Sequence, residues 1–129
     1  MATNNAVTNI AGVLSAITTT IAYTNASAVS IGTLPANAQI VDINIDVTTA
    51  FNAAGTDTVT VGKTGSAAAF VTATSVAAAG RASVATTGVY SAWADTGSAE
   101  LDATVTFSQT GTAATAGAAR VTIVYKTFA

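Results

Sequence analysis

The sequence predicts an all-β chain of roughly seven or eight short antiparallel strands, folded as a sandwich or a barrel. Three observations carry that prediction. Apolar and polar residues alternate strictly from Ile40 to Thr48, with Val41, Ile43, Ile45 and Val47 on one face and Asp42, Asn44, Asp46 and Thr48 on the other. That is the period of a half-buried strand. Turn formers recur along the chain, at Pro35-Ala36-Asn37, Asn52-Ala53-Ala54-Gly55, Gly62-Lys63-Thr64-Gly65, Asp95-Thr96-Gly97 and Thr110-Gly111. Finally, 25 of the 129 residues are threonine, a β-branched residue that packs well on a pleated surface.

Taken in order, Val7, Ile10, Leu14, Ile17 and Ile21 recur at three- and four-residue spacing, the pattern of a helical seam. The run Thr18-Thr19-Thr20 disfavours a helix there. Residues 1–15 therefore read as an arm or short helix, and residues 16–129 as one β-sandwich domain. Ile17–Tyr23 alternates as the first strand, and Ala28–Thr33 follows. The strand around Ile40–Thr48 is the clearest of all. Asp57–Val61 and Ala68–Ala73 are short strands about the Gly62–Gly65 turn. Val76-Ala77-Ala78-Ala79-Gly80 suits a one-turn helix or a loop equally well. Gly88–Ala94 reads as a strand. From Glu100 to Ser108, Leu101, Ala103, Val105 and Phe107 point inward, opposite Glu100, Asp102, Thr104 and Thr106. The last strand sets Val121, Ile123 and Tyr125 against Arg120, Thr122 and Lys126.

Composition narrows the function. There are 31 alanines and few aromatic residues, so the core looks poor in apolar area. Stability from self-association or from docking on a larger surface would compensate. Only 8% of residues are charged, and the net charge is −2. Lys63, Arg81, Arg120 and Lys126 cannot make a basic patch, so nucleic acid is not the expected partner. No apolar run reaches the ~20 residues of a spanning helix, so neither is a membrane. Histidine and cysteine are absent, which removes the Ser-His-Asp and Cys-His nucleophile systems. The opening Met1-Ala2-Thr3-Asn4-Asn5 lacks the basic start of a signal peptide, so synthesis in the cytoplasm without export by the ordinary secretory route is expected.

The remaining motifs are weak. Asp42 and Asp46 share a strand face about 13 Å apart, too far for a glycosidase pair. Glu100 and Asp102 are closer, but such acids normally keep an apolar chain solvated. Asp95–Asp102 does not follow the spacing of a calcium loop. Gly62-Lys63-Thr64 resembles the end of a phosphate loop, but Asp57 stands where that loop needs its first glycine. Asn25-Ala26-Ser27 matches a glycosylation acceptor by chance. Trp93, with Tyr90, is either core or an aromatic platform for a sugar, and core is favoured. No enzyme activity, cofactor or metal is expected.

One texture is familiar. Leu34-Pro35-Ala36-Asn37-Ala38-Gln39-Ile40, then Asp46-Val47-Thr48-Thr49-Ala50-Phe51-Asn52, then Gly55–Gly62, and finally Gly117–Tyr125 resemble small structural proteins of tailed bacteriophages. These include capsid decoration, or cement, proteins with jelly-roll folds. The resemblance covers under half the chain and transfers no functional residue. It implies a jelly-roll-like sandwich on the virion surface, self-associated as a homotrimer or, second, a homodimer, and bound to the major capsid protein. An immunoglobulin-like order fits the strand pattern equally well. On this reading Val7, Ile10 and Leu14 are the candidate partner contacts. The competing function is a tail-fibre module that binds a receptor or carbohydrate around Tyr90, Trp93 and Asp95.

Overall fold

The computed structural model describes residues 14–84 and 96–127. Among them the chain forms eight strands and no helix: β1 (Ser15–Ala22), β2 (Val29–Leu34), β3 (Ala38–Thr49), β4 (Asp57–Lys63), β5 (Ser66–Ser75), β6 (Gly80–Arg81), β7 (Leu101–Gln109) and β8 (Ala118–Thr127). All ladders are antiparallel. Two four-stranded sheets result, in the orders β1-β8-β3-β6 and β2-β7-β4-β5. Strands couple from the outside of the sequence inward: β1 with β8, β2 with β7, β3 with β6, β4 with β5. That nesting is the jelly-roll order. It also excludes the immunoglobulin order, which keeps its first two strands in one sheet, whereas here β1 and β2 lie in different sheets.

Between the sheets lies one apolar layer. Ile43, Ile45 and Val47 of β3, Val59 and Val61 of β4, Val105 and Phe107 of β7, and Val121 and Ile123 of β8 are all buried in it. Each such side chain contributes about 1.5–3 kcal/mol when fully buried. Alanine takes a small share of this layer. Ala38, Ala103, Ala114 and Ala119 are buried, but Ala77-Ala78-Ala79 is exposed. The core is therefore better filled than the alanine count suggests. Phe51 closes one end and stacks obliquely on Phe107, with ring centroids 4.7 Å apart. Gly117 (φ +149°) passes directly over the Phe51 ring, where any Cβ would collide with it.

Alternation first fails in β3 at Val41. Ile40 faces Tyr125 and Asp42 faces Val124, so Val41 is an extra residue without a partner. This bulge moves Ile40 into the core, at 5% exposure, and turns Val41 out, at 44%. Val41 therefore does not share a face with Ile43, Ile45 and Val47, as strict alternation had it. A similar bulge follows at Thr48.

Other expectations meet the structure as follows. β1 begins at Ser15, with Ile17 packed against the core and Ile21 inside it. Residues 1–13, with the expected arm, and the expected strand at Gly88–Ala94 lie outside the described residues. Residues 76–79 form a loop, pinned where Val76 N–H donates to Asp57 C=O (3.0 Å) and Phe51 N–H to Val76 C=O (3.2 Å). It leads into the two-residue β6, which the sequence did not announce. Gly62-Lys63-Thr64-Gly65 is the β4–β5 hairpin, with Lys63 opposite Ser66. There β5 arches so closely over Gly62 that a Cβ would strike the backbone of Ser66 and Ala67.

Candidate interaction surfaces

Among the described residues no three acidic side chains converge on a common point. The two outer faces of the sandwich differ.

On the β1-β8-β3-β6 sheet the outward positions hold most of the charge. Asp46 lies in register with Arg81 on one side and Arg120 on the other. Arg81 also reaches Asp42, Nη2 to Oδ2, at 3.6 Å, with both side chains largely exposed. Asp42 is held further by Ile43 N–H, which donates to its Oδ1 at 2.9 Å. Asp42 and Asp46, expected to share a strand face, are both half-buried on this one.

The outward face of β2-β7-β4-β5 is built differently. Between buried Val59, Val61, Val105 and Phe107, the opposite positions are Thr58, Thr60, Thr104, Thr106 and Ser108; Ser108 is exposed, Thr58, Thr60 and Thr106 are half-buried, and Thr104 is buried at 9% exposure. Register places Thr58 beside Ser108 and Ser75, Thr60 beside Thr106, and Thr104 beside Ser30. These positions carry no charge. Asp102 marks one rim, accepting from Ser30 Oγ (2.8 Å) and Thr64 Oγ1 (3.5 Å). Desolvating such a face requires no ion to leave water.

The ends of the sandwich are stitched by side chains. Thr96 Oγ1 donates to Pro35 C=O (2.7 Å) and accepts from Ala38 N–H (3.0 Å), fastening the chain before β7 to the β2–β3 turn. Asn37 sits in that turn at φ +58°, a conformation asparagine tolerates, and donates its N–H to Gly97 C=O at 2.8 Å. At the opposite end Asn52 Oδ1 accepts from Thr115 N–H (2.8 Å) and Ala116 N–H (3.0 Å). Asp57 was not singled out from the other acids, yet it is buried, at 3% exposure. Its Oδ2 accepts from Ala53 N–H at 3.0 Å and closes the β3–β4 loop, while Oδ1 has no partner. A carboxylate at the head of a Thr-rich strand gives no sequence sign of this role.

Of the expected contact residues, Leu14 stands just before β1 and is 55% exposed. Val7 and Ile10 lie outside the described residues, as do Tyr90, Trp93 and Asp95. Asn25 of the apparent glycosylation acceptor uses its side chain structurally, Oδ1 accepting from Ala22 N–H at 2.6 Å.

No family model and no curated protein matches the chain. Among solved structures, a chain of the cyanophage Pam1 capsid asymmetric unit is similar, with a TM-score of 0.67 and 20% sequence identity. The alignment covers 91% of this chain and 86% of that one, so the two share a fold over nearly their whole lengths.

Proposed function

We propose that the chain is a capsid decoration, or cement, protein without enzymatic activity, which binds the outer surface of a phage head and bridges major-capsid subunits. The observation that carries this reading is the end-to-end fold likeness to a chain of a phage capsid unit. The surfaces support it. A clamp needs a rigid body and a face that is easily dehydrated, and the uncharged Ser/Thr face of β2-β7-β4-β5 is the better of the two for that purpose. Self-association then multiplies individually weak attachments.

The test uses virions made with and without the chain. Immunogold labelling with an antibody to the chain should decorate heads, and heads lacking it should release DNA at a lower temperature. Adding back the purified chain should restore that temperature. Label confined to tails, or heads equally heat-resistant in both preparations, would sink the proposal.

A further inference from the structure

Four strands border the sheets, and three of these edges are blunted. β6 has two residues and carries Arg81. β2 is bulged between Ser30 and Gly32. β5 is bulged on both sides of Val71 and arches over Gly62. Short strands, charges and bulges are the devices that keep sheet edges from pairing with other chains. β1 has none of them. Its eight residues, Ser15–Ala22, run without a register break and include neither a charge nor a proline.

The direction of its unpaired groups follows from the hydrogen bonds. Tyr23 N–H donates to Gly117 C=O at 3.1 Å, continuing the register in which Ala22 faces Ala118. Antiparallel pairs alternate between bonded and unbonded, so Ile17, Thr19 and Ile21 bond to β8. Ala16, Thr18 and Thr20 therefore aim N–H and C=O out of the sheet edge. Ala22 shares that parity, and there Asn25 satisfies both groups: Oδ1 accepts the Ala22 N–H (2.6 Å) and Asn25 N–H donates to the Ala22 C=O (3.0 Å). Among the described residues nothing does the same for the other three.

We infer that β1 is a self-pairing edge, which joins β1 of a second copy antiparallel across a two-fold axis at Thr18. In that register Ala16 meets Thr20 of the second copy and Thr18 meets its own equivalent. About six backbone hydrogen bonds form, two at each facing pair. No like charges are brought together, because the edge has none. Two like edges pair only about a two-fold, so this contact makes the homodimer rather than the homotrimer. One strand pair buries less than the ~1,200 Å² of a standard stable interface, so the dimer is weak in solution. The inference stands apart from the capsid reading: a chain that dimerises this way but ignores phage heads would sink only the latter.

Sedimentation velocity from about 10 μM to 1 mM should show a monomer–dimer equilibrium in the wild-type chain. Thr18→Lys sets two ammonium groups face to face, and Ala16→Pro removes one outward N–H from each copy without touching the β8 ladder. Each should weaken the dimer by about tenfold or more. Ser108→Lys, on the other sheet, should leave it unchanged. The chain has no cysteine, so Thr18→Cys is a clean second readout. Facing Cα atoms about 5.5 Å apart lie within disulfide range, so mild oxidation should link Thr18→Cys far faster than Ser108→Cys. A wild-type monomer throughout, a trimer, or a dimer indifferent to Thr18→Lys and Ala16→Pro would each overturn the inference.

Discussion

The bulge in β3 makes a prediction that strict alternation reverses. Substituting threonine at Ile40, Val41 and Ile43 in turn asks which side chains are inside. Ile43 is 1% exposed and Ile40 is 5% exposed. Threonine at either site removes core methyl volume, worth about 1–1.5 kcal/mol with the cavity, and buries a hydroxyl without a partner, worth about 1–3 kcal/mol. Each change should therefore cost about 2–4 kcal/mol. Val41 is 44% exposed, and valine and threonine are nearly isosteric, so Val41→Thr should stay within about 0.5 kcal/mol of wild type. Guanidinium unfolding followed by circular dichroism measures all three, with m-values checked for constancy. If Val41→Thr cost as much as Ile43→Thr and Ile40→Thr were neutral, the strand would have no bulge there, and the placement of Ile40 would be wrong.

Two further predictions concern single contacts. Gly117→Ala adds a Cβ at φ +149° that collides with the Phe51 ring, and should destabilise by about 2–5 kcal/mol from strain and overpacking together. Combining it with Phe51→Leu should relieve the collision but not the strain, so the double variant should be less destabilised than the two singles summed, which a double-mutant cycle reads. Asp42→Asn keeps the oxygen that accepts from Ile43 N–H and removes the charge facing Arg81, together with the long hydrogen bond that Oδ2 accepts from Asn44 Nδ2 (3.4 Å). With those side chains 61% and 47% exposed, the change should shift the unfolding midpoint by less than about 0.5 kcal/mol, with or without added salt.

Strands were legible wherever burial is one-sided. Ile43–Val47, Ala103–Phe107 and Val121–Ile123 sit between the sheets with Asn, Asp or Thr turned outward, and the sequence shows that at a glance. Bulges were not, because an extra apolar residue such as Val41 leaves an alternating string apparently intact. The spacing from Val7 to Ile21 was ambiguous, and Thr18-Thr19-Thr20 decided its end as strand. Ile17 and Ile21 are four apart, a spacing that satisfies both a helix and one face of a strand, and in β1 they take the strand option. β6 is too short to leave a pattern. Asp57 shows the limit for sites: its burial is decided by the β3–β4 loop closing over it through Ala53, a tertiary event. Edges are equally hidden, since which strands lack a neighbour depends on sheet order and not on composition.

Sheet order also links the two proposals. Residues facing each other across an antiparallel pair put their side chains on the same side of the sheet. Joining β1 to β1 would therefore extend β1-β8-β3-β6 into one continuous sheet, with the Asp42, Asp46 and Arg120 positions of both copies on a single outer surface. Both β2-β7-β4-β5 sheets would then lie on the opposite side, and their uncharged Ser/Thr faces would point the same way. A dimer of that kind presents two dehydratable faces toward one substrate and its charges toward water. Binding through one face raises the effective concentration of the other, so a shell that offers paired sites is held far more tightly than a monomer could manage. The weakness of the free dimer is then no obstacle, since the shell itself supplies the proximity that solution lacks.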